Sequence, residues 1–90
     1  MKKQVLVMDE KDNVGIVLQD VEQGEVAVMK GQELPIQIKE AIPRSHKVAI
    51  RNINEKEPIL RYGEPIGYAT RPIFKGEWVH IHNLDAYEIM

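Results

Sequence analysis

Gly, Pro, Asn or Asp cuts the apolar pattern of this chain every eight to ten residues, and between those cuts helical spacing is weak. Turn formers at that interval leave room for short strands, so an all-β domain is expected. Strands are predicted at Gln4–Met8, Val14–Leu18, Glu25–Met29, Leu34–Ile38, His46–Ile53, Pro58–Tyr62, Ile66–Ala69 and Glu77–His82, with Leu84–Met90 a strand or a tail. Val14–Leu18 is almost continuously apolar, which implies burial on both faces. Pro35 cannot donate to a ladder, so its strand belongs at a sheet edge. Asp9–Asn13, Gln19–Gly24 and Lys30–Glu33 read as turns, and Lys39–Ser45 is the one place for a helical turn.

A local pattern recurs. Ile53-Asn54-Glu55-Lys56-Glu57-Pro58-Ile59 aligns with Ile73-Phe74-Lys75-Gly76-Glu77-Trp78-Val79, and Val21-Glu22-Gln23-Gly24-Glu25-Val26 is the same device one residue shorter. Each reads as a tight turn feeding a strand. Gly24 and Gly76 suit a positive φ there, whereas Lys56 at the matching position would be strained or need another turn type. The units are too irregular for a solenoid, so one compact barrel-like or clip-like domain over 1–90 is expected. A chain of 90 residues has room for a single core and buries only about 60–65% of its unfolded surface. Such a domain gains from a larger partner or from forming a homo-oligomer.

Composition narrows the function. Twelve Lys and Arg against fourteen Asp and Glu give a net charge of −2, with the basic residues scattered, which disfavours nucleic-acid binding. Cysteine is absent, which removes disulfides, thiolate metal sites and cysteine nucleophiles. No apolar stretch approaches the ~18 residues of a membrane helix, and Val5–Met8 is too short for a signal sequence, so no membrane association and a cytoplasmic location are expected.

The chemistry-bearing residues are few. In Trp78-Val79-His80-Ile81-His82-Asn83, strand alternation would put Trp78, His80 and His82 on one face and Val79 and Ile81 in the core. Two imidazoles spaced i, i+2 lie ~7 Å apart, close enough to grip one metal or one anionic ligand. The same pattern also suits a solvated polar face beside one aromatic. In His46-Lys47-Val48-Ala49-Ile50-Arg51, His46 falls on the apolar face, and Lys47 and Arg51 on the other, where they could meet a carboxylate. His46 as a strand-end residue bonded to backbone is the plainer alternative. Asp9–Asn13 lacks the order of a calcium loop, Tyr62–Gly67 is no phosphate loop, and Ser45 has no triad partners. A self-sufficient enzyme is therefore not expected.

Asp12-Asn13-Val14, His46-Lys47-Val48-Ala49, Tyr62-Gly63-Glu64-Pro65-Ile66-Gly67-Tyr68-Ala69 and Gly76-Glu77-Trp78-Val79-His80-Ile81-His82-Asn83-Leu84 occur in that order. The ordered set resembles the SAF domain of the altronate and galactarate dehydratase family over roughly residues 8–85. Ser45 departs from the family, which often has Gly before His-Lys. The resemblance implies a β-clip fold joined to a much larger catalytic domain or carried as a separate small subunit, as in a sulfolactate sulfo-lyase. It implies metal-assisted, usually iron-dependent, loss of water from a sugar acid or of sulfite from sulfolactate. On that footing the chain is expected to be an accessory subunit completing the site of a large dehydratase-type subunit. His80 and His82 are the expected catalytic residues and candidate ligands for iron or another divalent metal, and Asn13, His46, Lys47 and Asn83 the expected substrate or orienting contacts. A non-catalytic module that binds a sugar acid and a purely structural domain are the competing readings.

Overall fold

A computed structural model describes residues 2–32 and 34–86; positions 33 and 87–90, the end of the Lys30–Glu33 turn and of the Leu84–Met90 segment, lie outside the described residues. The described residues form nine strands and no helix: β1 (Gln4–Leu6), β2 (Val14–Val17), β3 (Val26–Met29), β4 (Pro35–Gln37), β5 (Lys47–Ala49), β6 (Pro58–Arg61), β7 (Glu64–Ala69), β8 (Trp78–Val79) and β9 (Leu84–Asp85). Six pair in the order β4-β3-β1-β2-β5-β8, and three in the order β6-β7-β9. The strand with Pro35 is at an edge, as its missing donor demands. Pro58 likewise opens the edge strand β6. The segment at Lys39–Ser45 is not helical; Ile42 instead bridges to Val21.

The interior is divided, where a single core was expected. Val5, Val17, Val21, Ala27, Ile36, Ile38, Ile42 and Val48 form one cluster, and Val14, Ala49, Ile53, Ile59, Ala69, Ile73 and Val79 form another. The ladder β2-β5-β8 separates them. Because successive side chains point to opposite faces, β2 sends Val17 to the first cluster and Val14 to the second, and β5 divides Val48 from Ala49 in the same way. The unbroken apolar character of Val14–Val17 follows from this two-sided burial.

The recurring turn occurs four times, once more than the sequence pattern shows. The fourth unit is Ile42-Pro43-Arg44-Ser45-His46-Lys47. In each unit the fourth turn residue donates to the carbonyl of the first: Glu25 to Glu22 (3.1 Å), His46 to Pro43 (3.1 Å), Glu57 to Asn54 (3.0 Å) and Glu77 to Phe74 (3.0 Å). The third residue has positive φ throughout: Gly24 (90°), Ser45 (71°), Lys56 (69°) and Gly76 (96°). The units pair through antiparallel bridges, Val21 with Ile42 at the first core and Ile53 with Ile73 at the second. Ser45 thus occupies a glycine-favouring conformation. Relief of the left-handed strain outweighs the extra freedom glycine gives the unfolded chain. Ser45→Gly is therefore expected to raise stability by about 0.5–1 kcal/mol. Thermal unfolding checks it, and an unchanged or lower midpoint would contradict it.

Three units share a further contact. Glu25, Glu57 and Glu77 each turn a carboxylate oxygen back to accept the N–H of the first turn residue, at 2.7, 2.9 and 2.6 Å. In the fourth unit Pro43 has no N–H to offer, and His46 stands where the glutamate would be. The imidazole at this position is released from the job its equivalents perform.

Candidate functional site

Register brings His46 to the Trp78 strand. Lys47 pairs with Val79 and Val48 with Trp78 in the antiparallel β5–β8 ladder, so His46 and His80 lie one step further along, opposite each other. Their ring centroids are 5.1 Å apart. Trp78 packs against the first core and joins the three histidines. It stacks on His80 at 5.3 Å and 11°, meets the edge of His46 at 5.5 Å and 64°, and leans on His82 at 5.5 Å and 58°. His46 and His80 are half-buried, and His82 is exposed. The three imidazoles that are remote or alternating in sequence thus share one edge of the sheet.

The local backbone differs from the expected strand. β8 ends at Val79, and residues 80–83 form a turn in which the His80 carbonyl accepts from Asn83 N–H (3.0 Å) and Leu84 N–H (2.9 Å). Val79 is buried as expected, but Ile81 is 82% exposed rather than in the core. Asn83 explains the change. Its side-chain oxygen accepts from His80 N–H (2.9 Å), and its amide nitrogen donates to the Trp78 carbonyl (2.8 Å). This side-chain clasp competes with ladder bonds and closes the turn. Asn83 is 2% exposed and spends both ends of its amide in this way, so it orients His80.

Asn13 is not brought to the cluster. It is 2% exposed, donates to the Pro58 carbonyl (2.9 Å) and accepts from Leu60 N–H (2.8 Å), fastening β2 to β6. The neighbouring Asp12 accepts from Tyr62 N–H (3.0 Å) and Gly63 N–H (2.8 Å), holding the β6–β7 hairpin turn. The acidic stretch is therefore spent on the fold. Arg51 donates from Nη2 to the carbonyls of Lys11 (2.7 Å) and Asp12 (2.8 Å), which spends that nitrogen on the fold. Lys47 lies on the opposite face of β5 from Val48, beside the second core. Burial first, and then the positive charge of Arg61, hold its ammonium below the ordinary lysine range. An anion there would relieve both effects.

Among the described residues no three His, Asp or Glu side chains gather as a metal-binding group. His46 also turns Nδ1 towards the Trp78 indole, which donates to it at 3.3 Å. The donors gathered among the described residues do not fit a metal centre, which needs three protein ligands and an open position. What the cluster offers is proton-carrying imidazoles against an aromatic wall. Sequence reasoning missed Glu40, whose carboxylate accepts the Trp78 backbone N–H (3.1 Å) and steadies the open edge of β8. No local motif announces that contact, which spans 38 positions.

The family described as the altronate/galactarate dehydratase SAF domain matches residues 3–87. An altronate dehydratase from Bacillus subtilis is 38% identical over 81 residues, 90% of this chain but 16% of its own length. A galactarate dehydratase (L-threo-forming) from Escherichia coli is 40% identical over 70 residues, 76% of this chain and 12% of its own. The alpha subunit of a (2R)-sulfolactate sulfo-lyase from Chromohalobacter salexigens is 37% identical over 84 residues, 88% of this chain and 89% of that subunit. The chain therefore spans under a fifth of the dehydratases it matches and nearly all of the sulfo-lyase subunit. No helix among the described residues is long and apolar enough to cross a membrane.

Proposed function

The chain belongs to the altronate/galactarate dehydratase SAF-domain family, and on that premise we propose that it is an accessory unit of a sugar-acid dehydratase, lending histidines to a site completed by a large catalytic chain. The observation that carries this reading is the gathering of His46, His80 and His82 around Trp78 at an open sheet edge, with too few donors among the described residues for a complete site. Loss of water from a hydroxy acid needs a base for the α-proton, an acid for the leaving hydroxyl, and stabilisation of the charge that gathers on the carboxylate. His80 and His82 serve as proton carriers, while Lys47, on the opposite face of β5 from His46, stands apart from that cluster. The remaining groups, including the ligands of any iron or other divalent ion, belong to the large chain. Elimination of sulfite from a sulfolactate-type acid is a second reading, favoured by the match along 89% of the sulfo-lyase alpha subunit.

Mixing the chain with the large dehydratase-like chain of the same source tests the proposal. Release of water from hexarate or hexonate acids, or of sulfite from sulfolactate, is expected only from the mixture. The leaving group detected separates the two readings. A large chain equally active alone would overturn both, and tight sugar-acid binding by the small chain alone, without effect on turnover, would favour a capture module.

A further inference from the structure

We infer that Trp78 is a positioning residue for His46: its indole N–H holds the imidazole as the Nε2-protonated tautomer, which makes His46 a neutral hydrogen-bond donor in the site. The functional half of this statement rests on the proposed lyase reading, while the tautomer is a property of the chain itself.

An indole nitrogen can only donate. The 3.3 Å contact from Trp78 Nε1 to His46 Nδ1 therefore requires Nδ1 to carry no proton, and the single proton of the neutral ring must sit on Nε2. The donor is fixed at both ends of its own backbone. Trp78 N–H is held by the Glu40 carboxylate (3.1 Å), and its carbonyl by the Asn83 amide (2.8 Å). Its ring is wedged between the first core and the parallel face of His80. His46 is equally available. Its position in the turn is the one that binds backbone as glutamate in the three sister units, and Pro43 has removed the group to be bound. Among the described residues the His46 ring makes no hydrogen bond besides the one from Trp78, so its Nε2–H is unspent.

The consequence is a division of labour between facing imidazoles. A ring held with Nδ1 occupied cannot present a free lone pair at Nε2, so His46 does not abstract a proton. It directs an N–H at developing negative charge, such as the carboxylate oxygens of an acid losing its α-proton, without carrying charge itself. His80, 5.1 Å away, is left for proton transfer.

Nitrogen-15 NMR of the histidine rings in the 90-residue chain, above the pH at which the imidazoles are neutral, reads the tautomer directly. His46 is expected to show a protonated Nε2 and an unprotonated Nδ1. In Trp78→Phe, which keeps an aromatic ring but loses the donor, the ratio of the Nε2–H to the Nδ1–H form is expected to fall about fivefold, the worth of one net hydrogen bond. The Phe variant's backbone amide spectrum reports whether the fold is kept, and Trp78→Met, an apolar side chain with no donor, provides a second variant if it is not. A wild-type His46 protonated on Nδ1, or a ratio unmoved by removing the indole, would overturn the inference. Neither result bears on whether the mixed chains are a lyase, which the product assay decides separately.

Discussion

Gly76→Ala is expected to cost more than about 3 kcal/mol of stability and to lower the melting temperature by roughly 15 °C, whereas Gly24→Ala at the equivalent turn position costs only about 1 kcal/mol. Both glycines have positive φ, 96° and 90°, so both substitutions carry the left-handed penalty of an L side chain. Their surroundings differ. A Cβ on Gly24 meets nothing within 4 Å, while one on Gly76 runs into the Gln37 carbonyl and comes within 3.1 Å of the Lys39 side chain. The turn at Gly76 cannot move aside. Its N–H is held by the Ala49 carbonyl (2.8 Å), and its carbonyl by Lys39 N–H (3.0 Å). Relieving the clash means breaking these bonds or pushing β4 outward, and a loss of about 3 kcal/mol is a large share of the ~5–15 kcal/mol that holds a small domain together. Thermal or urea unfolding of the two variants measures the difference. Equal losses would mean that backbone conformation alone governs these turns.

That contrast also bears on what the sequence disclosed. The all-β class was legible because Gly, Pro and Asn recur at strand-length intervals, and the edge position of β4 because Pro35 lacks a donor. Three of the four turn units were legible from their shared glutamate, with Gly24 and Gly76 supporting two of them. The fourth was hidden because both of its marker positions have changed: serine holds the left-handed conformation, and histidine replaces the capping acid. The division of the interior was invisible, since only the three-dimensional ladder decides that Val14 and Val17 serve different clusters. At the site, alternation in a strand placed Trp78, His80 and His82 together for a reason that does not hold beyond Val79. They meet because Asn83 folds the chain back beside Trp78, and a side-chain clasp of that kind has no period to read. His46 joins them through ladder register, which links positions 32 apart in the chain.

The largest functional effect is expected at the two histidines on the loop. In the reconstituted two-chain enzyme, His80→Gln and His82→Gln should each lower kcat/KM by about 10²–10³-fold, the range typical of removing a positioned proton carrier. Glutamine preserves polarity and approximate size but cannot carry a proton at neutral pH, so the comparison isolates proton transfer from packing. The two positions separate the contributions further. His80 is half-buried, stacked on Trp78, and tied by its backbone N–H to Asn83, so its replacement also disturbs the aromatic stack. His82 is exposed and touches only the rim of the Trp78 ring, so its variant should stay within about 0.5 kcal/mol of the parent in stability. A large loss of turnover at His82 with the melting temperature unchanged would therefore locate chemistry at the open edge of β8, where the proposed large chain would close over it. Retention of activity within about threefold in both variants, less than 1 kcal/mol of barrier, would instead make the aromatic cluster a packing device, leaving Trp78 to seal the first core and the histidines to solvate its border.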